Sequence, residues 1–187
     1  MENLCDPAVG KDVVVVGLYC DFHSQLEQST TNMLGVILKQ LVSRVGIPEH
    51  TRKAFQKAKR EFGGGGLQLP DMVATLKMTI KSPLRLFICI DALDECTPKH
   101  RQELFRSLRE IVRASLGARV FLTGRPHISD DILECFGKAV WIPLSPTYGD
   151  ITNYLEMRLN GDTDPRAMND ELRADIKRII PEKISEK

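Results

Sequence analysis

The segment Val13-Val14-Val15-Val16-Gly17-Leu18-Tyr19-Cys20 constrains this chain most. It opens on consecutive β-branched residues and contains no charge. A strand with one wet face alternates apolar and polar side chains. A run that does not alternate suits a strand covered on both faces, as in a parallel sheet. It is also the longest nearly apolar stretch, and it falls far short of the ~20 residues a membrane helix needs. Three later segments read as strands: Leu84 to Asp91 (LRLFICID), Ala118 to Thr123 (ARVFLT) and Ala139 to Leu144 (AVWIPL), the last with Pro143 near its end.

Between these runs the apolar spacing becomes helical. Ser29-Thr30-Thr31 is a cap signal ahead of Leu34, Ile37, Leu38, Leu41 and Val45. The stretch from Pro48 to Phe62 is basic and weakly amphipathic. Gly63 to Gly66 has no side chains to pack and reads as a flexible surface loop. Pro70 fits a first helical turn before Met72, Val73, Leu76 and Ile80. Thr97-Pro98 opens a helix carrying Leu104, Phe105, Leu108, Ile111 and Val112. Ser129 is expected to cap a short helix, and Asp150 another holding Ile151, Tyr154, Leu155 and Leu159. A final stripe, Leu172, Ile176, Ile179 and Ile180, is expected to stop at Pro181. Such alternation predicts an α/β fold with a mainly parallel sheet.

Composition narrows the function. Across 187 residues, 26 Lys plus Arg balance 25 Asp plus Glu, a net charge of +1. That argues against nucleic-acid binding through a broad basic field. The N-terminus, with acids and a proline in its first seven residues, lacks a signal-peptide pattern. The five cysteines are scattered and form no CxxC pair, so neither a disulfide framework nor a zinc site is suggested. Free thiols in a reducing, cytoplasmic setting are the simplest account. Cys89 and Trp141 are expected in the core, Cys96 has no base nearby in sequence, and His23, His50, His100 and His127 show no metal spacing.

Chemistry concentrates at two strand ends. Phe87-Ile88-Cys89-Ile90 runs straight into Asp91-Ala92-Leu93-Asp94-Glu95. Ligands of open parallel sheets bind beyond the carboxyl ends of the strands. A carboxylate there can hold Mg²⁺ through water, and a second can orient or deprotonate an attacking water. Equally, Asp91 can cap the next turn while Asp94 and Glu95 face solvent. The next strand ends in Thr123-Gly124-Arg125-Pro126. Arg125 could meet a γ-phosphate, or pair with Asp91 or Asp94.

DALDE followed one strand later by TGRP resembles the NACHT branch of the STAND class of P-loop NTPases, in the nephrocystin-like form of large fungal receptor proteins. Leu18 to Phe22, Met33 to Leu41, Ile142 to Leu144 and Asp150 to Leu155 resemble further pieces of that group, so the resemblance spans about Val13 to Leu159. It implies a three-layer, P-loop NTPase-like α/β fold, here missing the first (phosphate-loop) strand and helix. It assigns residues 1–12 to an N-terminal tail, 13–160 to a partial NACHT domain, and 161–187 to a linker and the start of a following helical region. Asp91 matches the Walker B magnesium aspartate. Asp94 and Glu95 match the acids that position or activate water. Arg125 matches the sensor that reads the γ-phosphate, with Thr123 beside it as a nucleotide contact. Gly124 stands where the family usually has Ser, a mild departure that removes one hydroxyl.

The phosphate loop GxxxxGK[ST] is expected ahead of Val13, but Gly10-Lys11 is followed by Asp12 and completes no such motif. Without that loop, most of the charge-binding groups for a triphosphate are absent. The resemblance therefore implies ATP (or GTP) and Mg²⁺ for the intact family, and none bound by this chain alone. Whether it hydrolyses nucleotide is left open. The implied partners are other domains of a larger receptor-like protein, with a homo-oligomer left open, and no nucleic acid and no membrane. The alternative is a non-catalytic protein–protein interaction or decayed domain. The missing strand further implies a marginal or rearranged fold, with the AVWIPL strand closing onto the sheet in its place.

Overall fold

The computed structural model describes residues 13–61, 66–80, 85–161 and 168–185. The expected tail 1–12 and the glycines Gly63 to Gly65 lie outside the described residues. The chain forms two compact units, residues 1–139 and 140–187, whereas the motif-based expectation sets its boundary at residue 160.

The first unit is α/β. Its strands are β1 (Val13–Tyr19), β2 (Arg85–Asp91) and β3 (Ala118–Leu122). Helices α1 (Thr30–Val45), α2 (Glu49–Glu61) and α3 (Leu69–Thr79) link β1 to β2. Helix α4 (Pro98–Ala114) links β2 to β3, and α5 (Ser129–Phe136) follows β3. The sheet has the order β1-β2-β3 and is wholly parallel. This is a three-stranded parallel sheet flanked by helices, as in a P-loop-like α/β fold without its first strand.

Register explains the burial. Val14, Leu86 and Ala118 lie side by side, as do Val16, Ile88 and Val120, and Leu18, Ile90 and Leu122. This face is the core side: Val14, Val16, Leu18, Leu86, Ile88, Ile90 and Ala118 are all buried. They share one cluster with Leu34, Ile37 and Leu41 of α1, Leu76 of α3, and Leu104, Phe105 and Leu108 of α4. The opposite face carries Val15 beside Phe87, and Gly17 beside Cys89 and Phe121. It is only partly covered, and Phe121 is 57% exposed. The runs lack alternation because one face is buried in the core and the other is still apolar, not because both are equally covered. Cys89, expected in the core, sits half-buried on this second face.

The outer edge of β1 is closed by a side chain. Gln40 on α1 accepts a hydrogen bond from the Gly17 N–H at 3.0 Å and donates one to the Gly17 carbonyl at 2.7 Å. The amide thus takes the place of a neighbouring strand and blunts that edge.

The caps follow the sequence in part. Ser29 accepts from the Asn32 N–H and Thr97 from the His100 N–H, as their positions predict. Ser129 is not a cap but the first residue of α5, after Ile128.

The second unit pairs α6 (Tyr148–Asn160) with α7 (Asp170–Ser185). Thr147, not Asp150, caps α6. Asp150 sits three residues on and bonds back to Thr147, forming a capping box. Those bonds hold the Asp150 carboxyl below its ordinary range, the Thr147 hydroxyl contributing most. Ile151, Leu155 and Leu159 form the buried stripe of α6. Arg173 of α7 donates to the Leu159 carbonyl, and Lys177 pairs with Glu156 at 3.3 Å. Helix α7 begins before Leu172 and runs through Pro181 instead of stopping there.

The fourth expected strand does not form. Residues 139–147 adopt no strand, and the sheet ends at β3. Val140 and Leu144 are each 86% exposed, and Trp141, expected in the core, is half-exposed. β-propensity needs a partner ladder to be realised. No backbone among the described residues forms a ladder with AVWIPL. Among the described residues no helix is long and apolar enough to cross a membrane.

Candidate functional site

The two acid- and arginine-bearing strand ends meet. β2 and β3 are neighbours and parallel, so their carboxyl ends open on the same side of the sheet. Beyond the last ladder pair, the Thr123 N–H donates to the Ile90 carbonyl at 3.0 Å, and the Leu93 N–H donates to the Thr123 carbonyl at 3.0 Å. The Thr123 hydroxyl accepts from the Ala92 N–H at 3.1 Å and donates to the Asp91 carboxylate. One side chain therefore locks the acid turn after β2 to the end of β3.

The acid turn is a single 3₁₀ turn, Leu93–Glu95. Leu93 is fully buried beneath it and anchors it to the core. Ala92 has φ 56° and ψ 45°, a left-handed conformation unusual for a residue with a Cβ. That conformation costs alanine roughly 1–2 kcal/mol. Strain of this kind concentrates at functional sites, where the surroundings force it. Ala92→Gly removes the clash but loosens the unfolded chain. The expected net effect is a gain of about 0.5–1 kcal/mol, seen as a melting midpoint roughly 2–4 °C higher. A lower midpoint in a thermal melt would show that Ala92 is not strained.

Asp94 and Glu95 both face Arg125. The Asp94 side chain is only 6% exposed. Its Oδ1 accepts from the Arg125 backbone N–H at 3.2 Å, and its Oδ2 lies 3.3 Å from Arg125 Nε. Glu95 Oε1 lies 3.4 Å from Arg125 Nη2. Of the two pairings open to Arg125, the structure thus takes Asp94, adds Glu95, and leaves Asp91 to Thr123. The Arg125 side chain is 72% exposed, which screens its pair with Glu95, while the Asp94 carboxylate it also meets is nearly buried. Arg125 is held by acids yet open to solvent.

Gly124 leaves little room for a side chain. A Cβ built there would lie 2.5 Å from Ile128 Cδ1, and Ile128 is fully buried. Serine at this position would force a core side chain to repack, so the departure from the family pattern is steric as well as the loss of a hydroxyl.

Asp91 lies at the very end of β2, beside Tyr19 of β1. One carboxylate oxygen is engaged by Thr123. Among the described residues no three His, Cys, Asp or Glu side chains converge to hold a metal ion directly. A single carboxylate is nevertheless a sufficient protein ligand for Mg²⁺, which keeps most of its waters and takes the rest of its shell from phosphates. The Asp91 donor set fits that mode.

Several neighbours of the site have no motif to announce them. Gln25 donates to the Glu95 carbonyl at 2.7 Å. Gln28 accepts from the Asp21 N–H at 3.2 Å and donates to the Asp21 carbonyl at 2.6 Å. Arg101 of α4 is nearly buried, reaches the Cys96 carbonyl through Nη1 at 3.3 Å, and pairs with Asp131 of α5 at 2.9 Å. Gln25–Glu95 and Arg101–Asp131 link segments distant in sequence, so only the fold brings those partners together.

No match to the chain was found among curated proteins or among solved structures. The family model for the N-terminal region of nephrocystin 3 matches residues 3–125, well over half of the chain. The match takes in all three strands, the acid turn and Arg125. A parallel sheet whose adjoining strand ends join DALDE to TGRP, matched over this length, places the chain in the nephrocystin 3 N-terminal family.

Proposed function

We propose that this nephrocystin-like domain is part of a NACHT-type nucleotide switch of the STAND class, in a larger receptor-like, cytoplasmic protein. The observation that carries the reading is the convergence of Asp91, Asp94, Glu95, Thr123 and Arg125 at the carboxyl ends of adjacent parallel strands. Ligands of such sheets bind at that end. Asp91 would hold the water-bound Mg²⁺ of ATP or GTP, and that ion supplies charge neutralisation to the phosphates when bound. Asp94 and Glu95 would orient a water once Arg125 releases them. Thr123 fixes the direction of the Asp91 carboxylate. Arg125, paired with acids but open to solvent, would exchange those partners for a phosphate oxygen.

The chain carries no GxxxxGK[ST] motif. Its acids and arginine are therefore the second half of a triphosphate site, and the chain by itself binds nucleotide weakly. Partner domains and a second copy of the receptor would complete the switch. A purely interacting domain is the competing reading, favoured by the exposed Phe121 and the half-covered sheet face around it.

The two readings separate in an NMR titration with Mg²⁺ and ATP. The switch reading expects a dissociation constant on the order of 1 mM, with shifts centred on residues 91–95 and 123–125 that Arg125→Ala weakens. Micromolar affinity would overturn the view of a half-site. Absence of shifts at those residues would favour the interacting domain.

A further inference from the structure

Cys20 and Cys96 are 76 residues apart in sequence, and their sulfurs lie 2.9 Å apart in a shared hydrogen bond. Cys20 immediately follows β1, and its N–H donates to the Asp91 carbonyl at 3.0 Å. Cys96 closes the acid turn, and its N–H donates to the Leu93 carbonyl at 3.1 Å. Both are buried, Cys20 fully and Cys96 at 3% exposure. The Met33 sulfur and Gln28 Oε1 complete their surroundings, each 3.9 Å from Cys96 Sγ. Two sulfurs this close need to approach by only about another 1 Å to be bonded.

We propose that Cys20 and Cys96 are a redox pair that forms a reversible disulfide, tying the end of β1 to the turn that presents Asp91, Asp94 and Glu95. The proposal stands whether or not those acids take a nucleotide.

The two thiols are chemically unequal. Cys20 keeps its proton: its hydrogen bond with Cys96 raises its affinity for it far above the usual thiol range, and burial adds to this. Cys96 is shifted the other way by that same bond and then by the Arg101 guanidinium, against burial and the charges of Asp94 and Glu95. Cys96, at 3% exposure against 0% for Cys20 and with Arg101 Nη1 on its carbonyl, is the thiol an oxidant meets first, and Cys20 is the resolving thiol.

With a hydroperoxide as oxidant the chemistry balances. The Cys96 thiolate attacks one oxygen of hydrogen peroxide and the O–O bond breaks. Sulfur is oxidised by two electrons to the sulfenic acid. The other oxygen leaves as hydroxide and becomes water on taking the proton that Cys96 released. The Cys20 sulfur then attacks the sulfenic sulfur, the S–O bond breaks, and that hydroxyl leaves as water with the Cys20 proton. Two thiols and one peroxide give one disulfide and two waters. A dithiol reductant reverses the process by two exchange steps.

The test uses the folded full chain. It is treated with hydrogen peroxide, alkylated under denaturing conditions and cleaved before aspartates, which separates Cys89 from Cys96. The expected result is a fall from five titratable thiols to three, with a peptide joining Cys20 to Cys96 that is lighter by two hydrogens and is lost on dithiothreitol treatment. The oxidised chain should also melt roughly 10 °C higher than the reduced one, because the bond closes a long loop of the unfolded chain. Cys20→Ser and Cys96→Ser should each abolish the cross-linked peptide. Recovery of both residues fully alkylated while other cysteines are consumed would overturn the proposal. So would a Cys20–Cys96 link that appears only in urea. Both of these readouts come from the unmodified sequence and do not depend on the serine variants folding.

Discussion

Phe105→Ala should lower the unfolding free energy of the α/β unit by about 3–5 kcal/mol. Phe105 is 2% exposed, lies on the core side of α4, and meets the ring of Phe136 on α5 edge-to-face at 5.8 Å. Truncation removes apolar burial, leaves a cavity beneath two helices, and forfeits the ring pair, itself worth ~0.5–1.5 kcal/mol. Domains of this kind hold only about 5–15 kcal/mol in total, so the variant is expected near the edge of unfolding. Leu116→Ala is the control: Leu116 is almost fully exposed, and its loss should change stability by no more than about 0.5 kcal/mol. Urea denaturation of the pair measures both. A Phe105→Ala cost below about 1.5 kcal/mol would mean that α4 is not seated as the structure has it.

The second large effect is electrostatic. Asp131→Ala should cost about 2–3 kcal/mol. Arg101 has a side chain only 9% exposed, and both its Nε (3.2 Å) and Nη2 (2.9 Å) donate to Asp131 Oδ2. Removing the carboxylate leaves a charge enclosed among α4, α5 and the Cys96 turn. The magnitude is held below that of a fully buried pair because Asp131 is 32% exposed, and water can follow the loss. Arg101→Met removes the charge with its partner still able to face solvent, and should cost less than Asp131→Ala. If Asp131→Ala proves neutral in urea denaturation while Arg101→Met is costly, the Arg101 guanidinium acts through its bond to the Cys96 carbonyl and not through Asp131.

Much of the fold was legible because it rests on local patterning. The three strands follow from runs whose composition leaves few alternatives, and Ser29 and Thr97 announce helices by their own side-chain chemistry. The candidate residues were legible as pieces, since acids after one apolar run and Thr-Gly-Arg after the next are visible in order. Their pairing was not. Arg125 could have met Asp91 or Asp94, and in the structure Asp91 is bonded by Thr123 while Arg125 meets Asp94.

The errors have physical causes. Asp150 looked like a cap, but Thr147 occupies that place, with Asp150 as its reciprocal partner. Pro181 looked like a terminus, since proline removes a donor and crowds the carbonyl four residues earlier, yet the helix continues through it. AVWIPL looked like a strand, yet an extended apolar segment becomes one only when a neighbouring backbone completes its hydrogen bonds.

By itself, the sequence determined that the chain builds a parallel α/β sheet and where along it the acids and the arginine fall. Apolar runs, helical spacing and caps act between residues a few positions apart, and these suffice for that. Only the tertiary structure decided that Thr123 locks the acid turn, that Ala92 is left-handed, that Arg101 meets Asp131, that Gln40 closes an edge of the sheet, and that Cys20 lies against Cys96. Each of these contacts joins distant residues or is imposed by such a contact. It exists because sheet register and helix packing together set which segments lie side by side, and no local pattern encodes that.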